Sequence, residues 1–375
     1  MANTGLQLRS LIAADQTLTL SLEEIEFAAP GPDEVLVQIE AAPINPSDLA
    51  LLFGPADLST ARVGGTQDRP VVTADIPGNL MRLVTRRVGE SMAVGNEGAG
   101  TVIATGDSAA ARALQGKTVG MVGGQMYAQY RCLKVHECLE LPEGVTAAQG
   151  ASCFINPMTS LGMVETMRAE GHTALVHTAA ASNLGQMLNK LCAAEGIELV
   201  NIVRKSEQEQ LLRDLGARYV VNSCSDSFYD DLIQALATTG ATLAFDATGG
   251  GKLAGQILTC MESVALRGVS EYDRYGSQVY KQVYIYGGLD TGPTVLSRNF
   301  GFAWGLGGWL LPHFLQRVGR EKVAALRARV AREITTTFAS HYTREISLPQ
   351  VLSPDVMAAY ARQATGEKFL IAPHC

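Results

Sequence analysis

The sequence predicts an α/β protein: a β-rich N-terminal domain joined to a domain with a doubly wound parallel sheet. Three observations predict it. The 375 residues are enough for two domains of roughly 150 residues each. Up to about residue 150, short runs alternate apolar and polar residues with a period of two, the mark of half-buried strands. From about Gly171 onward, apolar runs alternate with helical patterns, and strand–helix–strand units with short connections mean parallel strands.

In the first part, Glu34-Val-Leu-Val-Gln-Ile-Glu40 alternates cleanly after the Pro30-Gly31-Pro32 turn, which reads as a strand. Further strands are expected over 100–104 and 118–122. Between them, 55–92 has weak periodicity and carries Arg62, Arg69, Arg82, Arg86 and Arg87. A connection of that length is usually functional or mobile. It reads either as a lid whose cations grip an anionic handle or as a solvated or subunit-contact arm, the second being preferred.

In the second part, Thr173-Ala-Leu-Val-His177 is an apolar run, followed by the small-residue turn Thr178-Ala-Ala-Ala-Ser-Asn-Leu-Gly185 and a helical pattern over 186–195 that stops at Gly196. His177, on an apolar strand, reads as a satisfied core histidine. A second strand follows at 199–203. Ser206 with Glu209 forms a capping box that opens a helix ending at Gly216. The alternation continues through 219–221, 230–237, 243–246, 252–261 and 283–286. The tail is helical and basic over 321–332, closes with a strand over 369–372, and is expected to return to the first domain.

Composition narrows the function. The net charge of −7 gives no footprint for general nucleic-acid binding. The N-terminus lacks the pattern of a secretory signal. The stretches 144–164 and 299–316 are too polar or too short for a membrane span. Seven cysteines show no C-x-x-C pair, so a reducing cytoplasm is expected rather than a disulfide framework.

The turn after the first parallel strand reads Ala179-x-x-Ser182-x-x-Gly185. Small residues there let backbone N–H groups approach a pyrophosphate at a helix N-terminus. After the second strand, an acid would bond a ribose 2′-hydroxyl and repel a 2′-phosphate. Arg204 and Lys205 stand there instead, two donors suited to a phosphate dianion and otherwise ill-placed near a helix N-terminus. NADPH is therefore the expected cofactor.

With Ile44-Asn-Pro-Ser-Asp48, Gly95-Asn-Glu-Gly98, Tyr127-Ala-Gln-Tyr130, Asn156-Pro-Met-Thr159, Tyr286-Gly-Gly288 and the closing 366–371 segment, the chain resembles the zinc-independent medium-chain dehydrogenase/reductases. The similar branches are the NADPH:quinone oxidoreductases and the trans-2-enoyl thioester reductases. The resemblance implies a GroES-like catalytic domain over 1–155, a Rossmann NADPH-binding domain over 156–302, a C-terminal return over 303–375, a cofactor in the cleft between domains, and a homodimer. It also implies that Thr159 faces the nicotinamide carboxamide, that Ser182, Asn183 and Leu184 face the pyrophosphate, and that Thr248, Gly249, Tyr286, Gly287, Gly288 and Phe302 border the ribose and nicotinamide. Lys368 would reach a cofactor phosphate. Where zinc-dependent relatives place metal ligands, this chain has Asn45 and Asn96, and asparagine is a poor zinc ligand; no metal is expected.

The implied reaction is hydride transfer to a quinone or an α,β-unsaturated carbonyl, with a hydrogen-bond donor to the oxygen that gains charge. Enoyl reductases carry a tyrosine soon after the Asn-Pro-Ser-Asp segment. Here Leu51-Leu-Phe53-Gly-Pro-Ala56 has no hydroxyl, and the first tyrosine in the chain is Tyr127. Asn45 and Tyr127 are therefore the expected catalytic donors, with Tyr272 or Tyr275 as further candidates and a packed strand tyrosine as the other reading of Tyr127. The alternative function is a non-catalytic, crystallin-like or regulatory NADPH-binding relative that lost its donor.

Overall fold

The computed structural model describes residues 3–267 and 269–375 and divides into two compact units, Met1–Ile155 with Arg327–Cys375, and Asn156–Leu326.

The first unit is built on two sheets. One runs in the order Asp57–Gly65, Pro70–Asp75, Thr17–Phe27, Asn3–Ile12, Ser91–Ala93. In Thr17–Phe27 the alternation is visible as Leu18, Leu20 and Leu22 buried on one face. The other sheet has Glu34–Pro43 as its hub, paired with Glu97–Thr105, Tyr130–Lys134 and Phe369–Ala372. Val35, Val37 and Ile39 join Leu8, Leu18 and Leu20 in one core, which Ile346, Leu352 and Ile371 complete. The C-terminal segment from Arg327 onward therefore supplies part of this hydrophobic interior.

The arginine-bearing segment is more ordered than its periodicity suggested. Asp57–Gly65 and Pro70–Asp75 pair antiparallel and extend the first sheet. Arg62 pairs with Asp75 at 2.5 Å and Arg69 with Glu24 at 2.8 Å, while Arg87 donates to the Ala50 and Leu51 carbonyls. Three of the five cations are thus engaged within the unit.

The second unit holds six parallel strands in the order Tyr219–Asn222, Glu198–Val203, Ala174–Thr178, Leu243–Asp246, Lys281–Ile285, Trp304–Gly308. The first strand in sequence lies between the second and the fourth, so the order reverses there, and a crevice opens beyond the carboxyl ends of the strands at such a switch point. Val176, Val200, Ile202, Ala244 and Val283 pack beneath Phe228, Leu232, Ile257 and Leu258.

Two expectations need correction. The boundary expected at 302/303 lies at 326/327, because Trp304–Gly308 pairs with Lys281–Ile285 as a sixth strand and the helix Leu311–Glu333, kinked at Gly319, follows it. The capping box at Ser206 does not form: Lys205 is the N-cap of Ser206–Asp214, without a side-chain cap. The Gln208 side chain instead accepts from the Arg204 N–H at 3.0 Å.

Candidate active site

At the carboxyl edge of the parallel sheet, Ser182 caps the helix Asn183–Glu195, its hydroxyl accepting from the Gly185 N–H at 3.2 Å. A Cβ at Gly185 would stand 2.1 Å from the Ala180 carbonyl oxygen, so the turn closes this tightly only with glycine. Asn183 and Leu184 form the first turn of this helix, and a helix N-terminus favours an anion. Arg204 and Lys205 follow the second strand, both exposed. The loops after the fourth and fifth strands bring Thr248, Gly249, Tyr286, Gly287 and Gly288 to this same edge.

Asp246, which the sequence reading missed, organises that edge. Its carboxylate is fully buried and accepts from the Thr178 hydroxyl at 2.7 Å, the Thr248 N–H at 2.9 Å and the Gly249 N–H at 3.2 Å. It ties the ends of the first and fourth strands together. Tyr286 follows Lys281–Ile285, and its hydroxyl meets Nε2 of His177 at 2.7 Å.

Phe302, Tyr272 and Tyr275 do not belong to this edge. Phe302 precedes the Trp304–Gly308 strand and Tyr272 and Tyr275 precede Lys281–Ile285, so in a parallel sheet all three lie at the amino edge. Phe302 is 76% exposed, packs edge-on against Tyr275 and donates its N–H to the Tyr275 carbonyl. Thr159 is buried within the helix Ile155–Ala169.

The first unit contains a separate buried polar cluster. Asn45, expected as a donor, is 1% exposed. Its amide N–H donates to Glu97 Oε1 at 2.8 Å, and its carbonyl accepts from the Lys368 ammonium at 3.0 Å. Glu97 Oε2 accepts from the Phe154 and Ile155 N–H groups at 2.8 Å each. Asp48 accepts from the Asn45 N–H and the Asn96 N–H, both at 2.8 Å.

Burial pushes the Asp48 carboxyl up to about 7 against these N–H donors. It pushes Lys368 down to about 8, an effect that the nearby Glu97 and Asp48 charges oppose. Burial also raises Glu97, yet all three groups facing its oxygens are N–H donors. A carboxyl proton would have no acceptor there, so Glu97 is an anion in this geometry.

Tyr127 is fully buried and its hydroxyl donates to the Pro43 carbonyl at 3.1 Å, beside Asp48. It packs against Gly95, whose φ is +99° and where a Cβ would stand 2.5 Å from the tyrosine ring, too close for any side chain. The packed-tyrosine reading therefore describes its position. Lys368, expected at a cofactor phosphate, donates to Asn45. Among the described residues no group of three His, Cys, Asp or Glu is arranged to hold a metal ion, no helix is long and apolar enough to cross a membrane, and all seven cysteines are free.

No family profile matches the chain. Among curated proteins it is similar to a mycocerosic acid synthase-like polyketide synthase of Mycobacterium tuberculosis, at 25% identity over 72% of this chain and 12% of that one. It is also similar to the mitochondrial enoyl-[acyl-carrier-protein] reductase of Bos taurus, at 27% over 55% of this chain and 50% of that one. The chain thus spans half or less of the length of these relatives. Among solved structures, a protein described as an NADPH:quinone reductase from Mesorhizobium loti superposes with a TM-score of 0.72 at 24% identity, covering 99% of this chain and 98% of that one. The Escherichia coli quinone oxidoreductase in complex with NADPH gives 0.69 at 16% identity, covering 99% and 100%. Along its whole length the chain has the fold of these quinone reductases, the GroES-like plus Rossmann architecture that the sequence suggested.

Proposed function

We propose that the chain is an NADPH-dependent oxidoreductase that transfers hydride to a quinone or an α,β-unsaturated carbonyl, reducing its C=C bond without zinc. The observation that carries this reading is the carboxyl edge of the second unit. A glycine-tight turn at the switch point stands beside two exposed cations that make no ion pair among the described residues. Bound NADPH would supply the hydride. Ser182, Asn183 and Leu184 hold its pyrophosphate, Arg204 and Lys205 its 2′-phosphate, and Thr248, Gly249, Gly287 and Gly288 border its ribose, with Thr159 toward the carboxamide.

The acceptor's carbonyl oxygen gains charge as hydride arrives, and a preplaced donor lowers the barrier. Asn45 and Tyr127 are the proposed donors, and the first unit sets a cation beside them: the Lys368 ammonium, one of whose N–H groups Asn45 accepts. Asn45 orients it, Glu97 keeps it charged, and Tyr127 supports Asp48. An ammonium bonded to Asn45 repels a metal cation from this cluster, which supports zinc independence. The reductases among the similar proteins favour an enzyme over a non-catalytic cofactor-binding relative. Free cysteines fit a cytoplasmic location, and the open edge of Trp304–Gly308 fits a homodimer.

The test is NADPH oxidation against a benzoquinone, a naphthoquinone, a short enone and a crotonyl thioester, with NADH and a chelator in parallel. Turnover with NADPH should survive chelation. Arg204→Gln with Lys205→Gln should weaken NADPH by roughly tenfold or more, each lost charge-assisted bond accounting for a few-fold to tenfold, while NADH changes little. Equal losses for both cofactors refute the 2′-phosphate assignment, and no turnover with any acceptor refutes the reductase.

A further inference from the structure

His177 lies in the middle of the sheet, on Ala174–Thr178, with no exposed surface. Its Nε2 meets the Tyr286 hydroxyl at 2.7 Å, with the two rings stacked 5.7 Å apart. Its Nδ1 has no partner among the described residues. The contact leaves open which atom donates, and the orphaned nitrogen decides it. Burial holds the imidazole neutral, so one nitrogen carries a proton and the other a lone pair. A proton on Nδ1 would be a buried donor without an acceptor, and orphaned N–H groups are rarer than under-used acceptors. The proton therefore sits on Nε2 and is donated to the Tyr286 oxygen. Tyr286, by contrast, stands at the carboxyl edge and is only half-buried, so its own proton, unlike one on Nδ1, is open to water or a ligand; no acceptor for it stands among the described residues.

Strand order says where the rest of a dinucleotide would lie. With a pyrophosphate at the turn after Ala174–Thr178 and a 2′-phosphate beside Glu198–Val203, the other half of a dinucleotide extends the opposite way. That direction leads across Leu243–Asp246 toward Lys281–Ile285, the strand that Tyr286 follows. We propose that the Tyr286 hydroxyl is a hydrogen-bond donor to an oxygen on the nicotinamide nucleoside of the cofactor, and that His177 is the positioning residue that fixes it as a donor. This rests on the dinucleotide reading above.

The experiment measures binding of NADPH and of 2′,5′-ADP, which lacks the nicotinamide half, to wild type, Tyr286→Phe, His177→Leu, His177→Gln and the Tyr286→Phe/His177→Leu double variant. Tyr286→Phe should weaken NADPH by roughly three- to tenfold, the worth of one hydrogen bond, and leave 2′,5′-ADP unchanged. His177→Leu should weaken NADPH by several-fold while its thermal midpoint holds or rises, since leucine removes a half-satisfied buried ring. His177→Gln, whose amide N–H can replace Nε2–H, should restore binding, and the double variant should be no weaker than Tyr286→Phe alone. Additive losses, equal losses for 2′,5′-ADP, or unchanged NADPH binding in His177→Leu would overturn the proposal. Wild type that binds neither nucleotide would overturn the dinucleotide reading itself, and the proposal with it.

Discussion

Glu97→Gln tests the charge arrangement of the first unit most directly. In the native cluster every contact to the carboxylate is a donor: the Asn45 amide on Oε1, and the Phe154 and Ile155 N–H groups on Oε2. Glutamine keeps one oxygen and brings one NH2. Placed with its oxygen on the two backbone groups, it turns the NH2 toward the Asn45 NH2. Asn45 relieves that clash only by flipping, which sets its NH2 against the Lys368 ammonium. Either way one hydrogen bond to a charged group is lost, worth about 1.5–3 kcal/mol. Lys368 also loses the charge of Glu97, which it faces across Asn45 rather than in direct contact, while the desolvation of a buried carboxylate is relieved at the same time, and these two effects oppose each other. The net loss is about 1.5–3 kcal/mol at pH 7. Denaturant unfolding followed by far-UV circular dichroism measures it, and amide exchange at Phe154 and Ile155 locates it. Lys368 should titrate lower than its native value of about 8, read as faster amine modification near neutral pH. A variant as stable as wild type, with Lys368 unchanged, would mean that Glu97 already carries a proton and that Lys368 feels no negative charge from it.

The same cluster sets a pH dependence. Asp48 titrates near 7 in the fold against about 3.8 in the unfolded chain, so between those values the folded chain binds more protons and stability falls as pH rises, by up to about 4 kcal/mol. Lys368 titrates near 8 against 10.5; there the unfolded chain binds more protons, and stability recovers as pH rises. The unfolding midpoint should therefore pass through a shallow minimum between pH 7 and 8, and Asp48→Asn should flatten its acid limb; an unchanged limb would assign it to another group. Gly185→Ala places a Cβ 2.1 Å from the Ala180 carbonyl oxygen, against backbone that cannot yield cheaply. It should abolish nucleotide binding in a fluorescence titration or cost about 1–3 kcal/mol of stability, and near-native values for both would show that the turn is looser than drawn.

What the sequence disclosed follows the range of the interactions involved. The phosphate turn, the basic pair and the central strands are local, and each was legible within ten or so residues. Trp304–Gly308 escaped notice because three of its five residues are glycine, which removes both β-propensity and alternation; it is a strand only because Lys281–Ile285 offers an edge. The hairpin over 57–75 was hidden by a register shift between Asp57 and Arg62, which breaks the period of two that a strand is read from. Phe302, expected beside the ribose and nicotinamide, lies at the amino edge, because nearness in sequence to a strand does not say which end of the sheet a residue occupies. The Asn45–Glu97–Lys368 array joins positions 52 and 323 residues apart, and no local pattern pairs them.

A physical signal for the missed acids was nonetheless present. Asp48, Glu97 and Asp246 each stand among residues that the fold buries, and a carboxylate without partners in such a place would cost several kcal/mol. An acid retained there must be met by several donors, and each of the three is. Asp48 accepts two backbone N–H groups, Glu97 two backbone groups and an amide, and Asp246 two backbone groups and a hydroxyl. Each also sits where chain segments distant in sequence must be held together at the edge of a proposed site. His177 shows the complementary case. On burial alone it reads as a satisfied core histidine, whereas its unpartnered Nδ1 fixes the proton on the opposite nitrogen and turns a neighbouring tyrosine into a donor. For buried polar residues the informative quantity is therefore the balance of donors and acceptors around them, and in this chain that balance, more than any motif, separates the groups that brace the fold from those left free to meet a ligand.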